Sequence, residues 1–265
     1  MKNFFVLAAF FYAVSYTQNP QASDFKSFIK SIVPLRTDGK IAIPPHIRHV
    51  KLDIGLSYCA PMSQQWLLQE DDLIVFGFEP NPACVRSILE ELTKFSGSWP
   101  LVLEKKFIGT RFFLIPCALG ISVQKTVPFY VTANDCGCSS LFKPKTFPVK
   151  QVIEVPLFPL SDFFELFPFD THPVVDYIKI DAQGADLDIV KSAGHYLAEH
   201  VIYITIEAED NQYEGTVNNL AAIDTYMKSI GFLSFRSTCT MDPTYINSTY
   251  IEYAKQHKIM IFQQF

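Results

Sequence analysis

Residues 177–194 read YIKIDAQGADLDIVKSAG, an apolar strand pattern that stops on an acid and turns at once into a helix pattern. The spacing predicts a strand over 174–180 and a helix over 185–193 that Gly194 stops. A carboxylate at the mouth of a buried strand is costly unless it is paired or used. Asp181 occupies that position, with Gln183, Gly184, Asp186 and Asp188 directly behind it. Two roles suit it: an acid turned on a ligand, or a cap accepting N–H groups at the helix start.

The same alternation runs outward from this stretch. Strands are predicted at VKLDIG (50–55), LIVFGF (73–78) and VIYITIE (201–207). Helices are predicted at SQQWLLQ (63–69), after Asn81-Pro82 as far as Gly97, and over 218–230 up to Gly231. SDFKSFIKSIV (23–33) predicts a first helix capped by Ser23. In the middle, RFFLIPCAL (111–119) and TVPFYVT (126–132) read as strands joined by a turn at Gly120. QVIEVPL (151–157) reads as a short strand and SDFFELF (161–167) as a capped helical turn. FLSFR (232–236) and KIMIFQ (258–263) are expected to close the sheet as an antiparallel pair. Apolar strands alternating with amphipathic helices imply an α/β fold, a doubly wound and mostly parallel sheet covered on both faces. Such sheets bind ligands outside the carboxyl ends of their strands, which puts Gly55, Glu79 and Asp181 along one rim.

Composition narrows the classes. With 265 residues, 49% hydrophobic and 18% charged, the chain can bury one sizeable core. A formal charge of −5 offers no basic footprint, which excludes nucleic acid as a phosphate-held partner. MKNFFVLAAFFYAVS has an early cation and a short apolar run, the pattern of a signal peptide or hydrophobic leader over 1–15. Residues 22–265 then form a single domain. The expected location is the secretory pathway or outside the cell, with the cytoplasm as the alternative. The run is too short to span a bilayer, so membrane contact is expected only through an uncleaved leader. Asn247-Ser248-Thr249 is a glycosylation sequon that matters only for a secreted chain. The six cysteines are scattered, the six histidines lack H-E-x-x-H spacing, and no metal site is expected. No G-x-S-x-G elbow is present, which disfavours a serine hydrolase.

The rim residues carry the chemistry. LDIGLSYCAP retains only the first glycine of a G-x-G-x-x-G loop, so it is poorly suited to the pyrophosphate of NAD or FAD. S-adenosyl-L-methionine (SAM), a nucleoside without phosphate, asks less of that loop. Glu79 closes its strand about 24 residues after Gly55, near the ~20-residue spacing at which related sites place an acid on ribose hydroxyls. Its bland alternative is capping beside Asn81. Ser139 and Ser140 could touch a ligand through their hydroxyls or serve the turn. A reaction at a hydroxyl needs alignment of the acceptor and removal of a proton. Asp181 and Glu207, each closing a strand, are the acids available for it. A simple cap and a rim ion pair are their respective alternatives.

Taken in order, LDIG, FGFEPNP, CALG, GCSSL, the 177–194 stretch and IEAE resemble the FkbM-type family of SAM-dependent methyltransferases over residues 50–209. The 177–194 stretch resembles that family's Lys-Ile-Asp-x-Glu-Gly-x-Glu signature. The resemblance implies a class I methyltransferase fold with seven strands, and O-methylation of a sugar or another small hydroxylated acceptor, including a glycan. It implies that Asp53, Gly55, Leu56 and Ser57 line the methionine end of SAM, that Glu79 holds the ribose, and that Cys117, Ala118 and Leu119 lie along the adenine. Asn81 and Ser140 complete the implied cofactor set. Two departures stand out. Leu56-Ser57-Tyr58-Cys59 replaces the family's Ala-Asn-x-Gly, and the signature's glutamates become Gln183 and Asp186. Two rival readings are a non-catalytic SAM-binding protein and another nucleotide-using enzyme on the same fold.

Overall fold

The computed structural model describes residues 24–90, 101–121, 124–133, 136–209, 212–235 and 241–259. The predicted leader, Ser23, Gly97 and the end of KIMIFQ lie outside them. In chain order the strands are β1 (His49–Ile54), β2 (Leu73–Phe78), β3 (Phe112–Ile115), β4 (Ala118–Leu119) and β5 (Thr126–Thr132). They continue with β6 (Val149–Phe158), β7 (Val175–Ile180), β8 (Val201–Ile206), β9 (Phe232–Phe235) and β10 (Thr244–Asn247). The described α-helices are α1 (Phe25–Ile29), α2 (Pro61–Gln69), α3 (Pro82–Glu90) and α4 (Leu160–Leu166). After these come α5 (Asp186–Ser192), α6 (Tyr196–His200), α7 (Leu220–Ser229) and α8 (Ile251–Gln256).

Every residue of β2 and β7 is buried, the condition of a strand covered on both faces. They belong to a seven-stranded sheet of order β3-β2-β1-β7-β8-β10-β9. The pairs from β3 to β8 are parallel, and β10 runs antiparallel to both its neighbours. The mostly parallel seven-stranded sheet read from the sequence is therefore present. Side chains alternate between faces along a strand. Val50, Leu52 and Ile54 pack in one cluster with residues of α1, α4, α5 and α7. Leu73, Val75, Phe112 and Tyr177 pack in another with Trp66 of α2 and Ile88 of α3.

Three local expectations are corrected. RFFLIPCAL is not one strand: it breaks around Pro116, which has no N–H to donate. β3 stays in the large sheet, while β4 joins a second sheet of order β4-β6-β5. β4 and β5 are thus not neighbours, because β6 lies between them. The second concerns β9, which pairs antiparallel with Thr244–Asn247, a strand the sequence did not mark; of KIMIFQ only Lys258 and Ile259 are among the described residues. Lys258 turns with φ 54, and Ile259 packs into the core after α8. The third is the first helix cap, where the Asp24 carboxylate accepts from the Ser27 N–H at 2.8 Å. No helix among the described residues is long and apolar enough to cross a membrane.

The sequon asparagine has a structural job. Asn247 is buried, and its Nδ2 donates to the Ala198 and Val201 carbonyls at 2.9 and 3.0 Å, at the end of α6. Its Oδ1 accepts from the Thr249 N–H at 3.0 Å. Helix-end carbonyls have no partner of their own, so this amide satisfies groups that burial would otherwise penalise. Protein secreted from a eukaryotic host is accordingly expected to carry no glycan at Asn247, which intact-mass analysis would read directly. Asn247→Ala should cost roughly 1–3 kcal/mol in urea unfolding, the range for stranding buried hydrogen-bonding groups.

Candidate functional site

Three strand ends are stitched together where the acids emerge. Gly55 N–H donates to the Phe78 carbonyl at 3.0 Å, and Asp181 N–H donates to the Ile54 carbonyl at 2.9 Å. Gly55 has φ +86, and a Cβ there would stand 1.8 Å from the Asp181 carbonyl oxygen. Glycine is required on both counts. The next turn also uses the left-handed region, with φ 54 at Ser57 and 46 at Ala60. Such strain persists only where the surroundings hold it.

Glu79 supplies that hold. Its Oε2 accepts from the Leu56 and Ser57 N–H groups at 3.2 and 3.0 Å, and its Oε1 accepts from the Asn81 N–H at 2.8 Å. Burial pushes its carboxyl up to about 7, against the pull of those three donors and with a further push from the Asp181 charge. The loop that lost its second glycine is thus tied to the end of β2 by one carboxylate.

Above these ends lies a cavity of about 480 Å³. Its wall includes Asp53, Gly55, Leu56, Ser57 and Glu79 from the first two strand ends. Cys117, Ala118 and Leu119 line it from the β3–β4 crossing, and Asp181 from β7. Phe129 and Leu141 add apolar surface from the second sheet and its loop. Asn81, Ser140 and Glu207 are not on that wall. Asn81 caps α3 through Oδ1 to the Ala83 N–H at 3.0 Å, while its buried Nδ2 has no partner. The Ser140 hydroxyl donates to the Gln183 carbonyl at 2.6 Å and accepts from the Phe142 N–H at 2.9 Å. These two bonds hold the turn.

The acids divide their work. Asp186, fully buried, accepts from the Ala182 and Gly184 N–H groups at 2.8 and 3.0 Å and from Asn218 Nδ2 at 3.0 Å. Asp186 is therefore the carboxylate that satisfies the turn before α5, and Asp181 is left for other partners. Lys179 Nζ donates to Asp181 Oδ2 at 3.0 Å, and Gln183 Nε2 donates to Asp181 Oδ1 at 3.0 Å. Burial pulls the Asp181 carboxyl upward, but Lys179 and the hydrogen bonds from Gln183 and Glu207 outweigh it and hold the group below its usual range. Asp181 is an anion at neutral pH. Asp53, opposite Lys179 in the sheet, accepts from the Ser63 hydroxyl at 2.6 Å.

Glu207 sits behind Gln183, whose Nε2 donates to Glu207 Oε2 at 2.7 Å. Burial first, then the charges of Asp181, Asp186 and Glu209, push its carboxyl up to about 11. A carboxyl that keeps its proton is not a base at neutral pH. Two further site residues went unread in the sequence. Lys179 was visible as a cation inside an apolar strand, whereas Tyr213 lies in an irregular loop with no pattern to mark it. Among the described residues no cluster of His, Cys, Asp or Glu is arranged to hold a metal.

The cavity lies at the carboxyl ends of the parallel strands, where such sheets bind their ligands, with an acid on the second strand end and a glycine turn on the first. The methyltransferase FkbM domain matches residues 66–234, and the chain belongs to that family of methyltransferases. The matched span opens inside α2 and closes in β9, so β1 and the Gly55 loop precede it. No curated protein and no solved structure matches the chain.

Proposed function

We propose that the protein is a SAM-dependent O-methyltransferase on a doubly wound class I methyltransferase fold, acting on a small hydroxylated acceptor, a carbohydrate or glycan. The observation that carries this reading is the convergence of Gly55, Glu79 and Asp181 on one cavity at the strand ends. The cavity volume lies within the ordinary range for small-molecule sites. Glu79 keeps a lone pair on Oε1 beyond its bond to Asn81, which suits a ribose hydroxyl. Leu119, Phe129 and Leu141 suit an apolar base.

SAM, when bound, supplies a methyl group already activated as a sulfonium. The protein's own task is to hold the acceptor hydroxyl in line and take its proton. Asp181 does both, because it is ionised, faces the cavity and retains lone pairs beyond its bonds to Lys179 and Gln183. Glu207 supports it without touching the acceptor. The signal-like pattern of residues 1–15 supports action in the secretory pathway.

Glu79→Gln keeps the shape but turns one carboxylate oxygen into an N–H₂ that faces backbone donors. Hydrogen bonds to charged groups contribute roughly 1.5–3 kcal/mol, so SAM should bind on the order of 10-fold or more weakly. Calorimetric titration would measure it. Unchanged affinity in a folded variant would take Glu79 out of the site, and a wild-type protein that binds no SAM would overturn the function.

A further inference from the structure

Gln183 is held more firmly than a cavity-wall side chain needs to be. Its backbone has φ 54, its carbonyl accepts from Ser140, and its side-chain amide uses every group it has. Nε2 donates to Asp181 Oδ1 at 3.0 Å and to Glu207 Oε2 at 2.7 Å, while Oε1 accepts from the Tyr213 hydroxyl at 2.7 Å. Tyr213 is buried, its ring packs on Gly184, and a backbone bridge to Pro144 anchors its loop.

Tyr213 has a choice. Its single proton can go to Gln183 Oε1 or to the Cys138 carbonyl, 3.1 Å away. If it went to Cys138, an oxygen lone pair of Tyr213 would face Oε1 at hydrogen-bond distance, and the amide would turn over. Oε1 would then face the Asp181 anion. The observed orientation avoids that repulsion, so the tyrosine proton and the amide direction are a coupled choice.

We propose that Tyr213 is a positioning residue for the methyl-transfer site: by donating to Gln183 it turns the amide N–H groups onto Asp181 and Glu207, and so sets how Asp181 presents its remaining lone pairs to the cavity. The inference rests on the proposed role of Asp181, although its test needs no acceptor. The charged groups around the pair are Lys179 on β7, Asp53 at the end of β1, Glu79 at the end of β2, Asp186 on α5 and Glu209 after β8. The low Asp181 carboxyl agrees with this picture, because the bond from Gln183 is among the interactions that hold it down, whereas Glu207 is raised by burial and its anionic neighbours.

The test is a pH titration of the side-chain carboxyl ¹³C resonances of the full chain, with Asp181 and Glu207 assigned through Asp181→Asn and Glu207→Gln. In the wild type Asp181 should remain ionised and Glu207 protonated throughout the neutral range. In Tyr213→Phe the amide is free to turn and both carboxyls lose an N–H donor, so the Asp181 and the Glu207 midpoints should both rise. Gln183→Met removes the same bridge from its other end and should move both midpoints in the same directions. Midpoints unchanged in both variants, or a wild type in which both acids titrate as ordinary carboxyls, would overturn the proposal. Calorimetry with SAM on the same samples keeps the two readings apart. A protein without SAM affinity whose midpoints still shift would fail as a SAM enzyme and retain the bridge. Normal SAM affinity with unmoved midpoints would remove Tyr213 alone.

Discussion

Asp181→Asn is expected to lower kcat for methyl transfer by about 10²–10⁴-fold, the usual contribution of a positioned acid–base group. The substitution removes the charge that Lys179 faces and places a second amide against the N–H groups of Gln183. No turn N–H is stranded, because those groups belong to Asp186. Stability should fall, because buried Lys179 loses its bonded anion and keeps Asp53 as the next nearest charge, and SAM affinity should change far less than kcat if Asp181 serves the acceptor. Initial-rate kinetics on a responding acceptor, with SAM calorimetry beside them, would separate the two. A fully active Asp181→Asn enzyme would move the proton acceptor elsewhere in the cavity.

Gly55→Ala should be the most damaging single change to the fold near the site. The new methyl would stand 1.8 Å from the Asp181 carbonyl oxygen, and both partners are backbone, so no side chain can swing aside. The φ of +86 adds the left-handed penalty for an L-residue. Relief requires parting the end of β1 from the end of β7. The expected cost is roughly 4 kcal/mol or more, in the range reserved for clashes and special backbone positions. In a thermal melt that corresponds to a loss on the order of 10 °C. SAM binding should fall with it, because Leu56 and Ser57 leave the position that Glu79 holds. A Gly55→Ala protein with wild-type melting would mean that these strand ends part easily.

Much of this was legible in the chain. LIVFGF, YIKI and VIYITI read as strands buried on both faces, because a short run that is apolar almost throughout between turn signals suits that setting; Lys179 is the exception within them. The acids that close strands were legible for the opposite reason, since a carboxylate in that setting must be paired or used. Gly55 was marked by its place after a strand. TYIN was not legible as β10, being short and set between a proline and a sequon. Its strand character comes from lying between β8 and β9.

By itself, then, the sequence determined the alternation, the mostly parallel sheet and the rim on which Gly55, Glu79 and Asp181 meet, because local burial and turn chemistry write those features into adjacent residues. Only the tertiary structure decided that Asp186 serves the turn while Asp181 faces the cavity, that Glu207 stands behind Gln183, that the Tyr213 hydroxyl donates to that amide, and that the sequon's Asn247 is buried. Each depends on distances between segments far apart in the chain, and no periodicity within a segment encodes them.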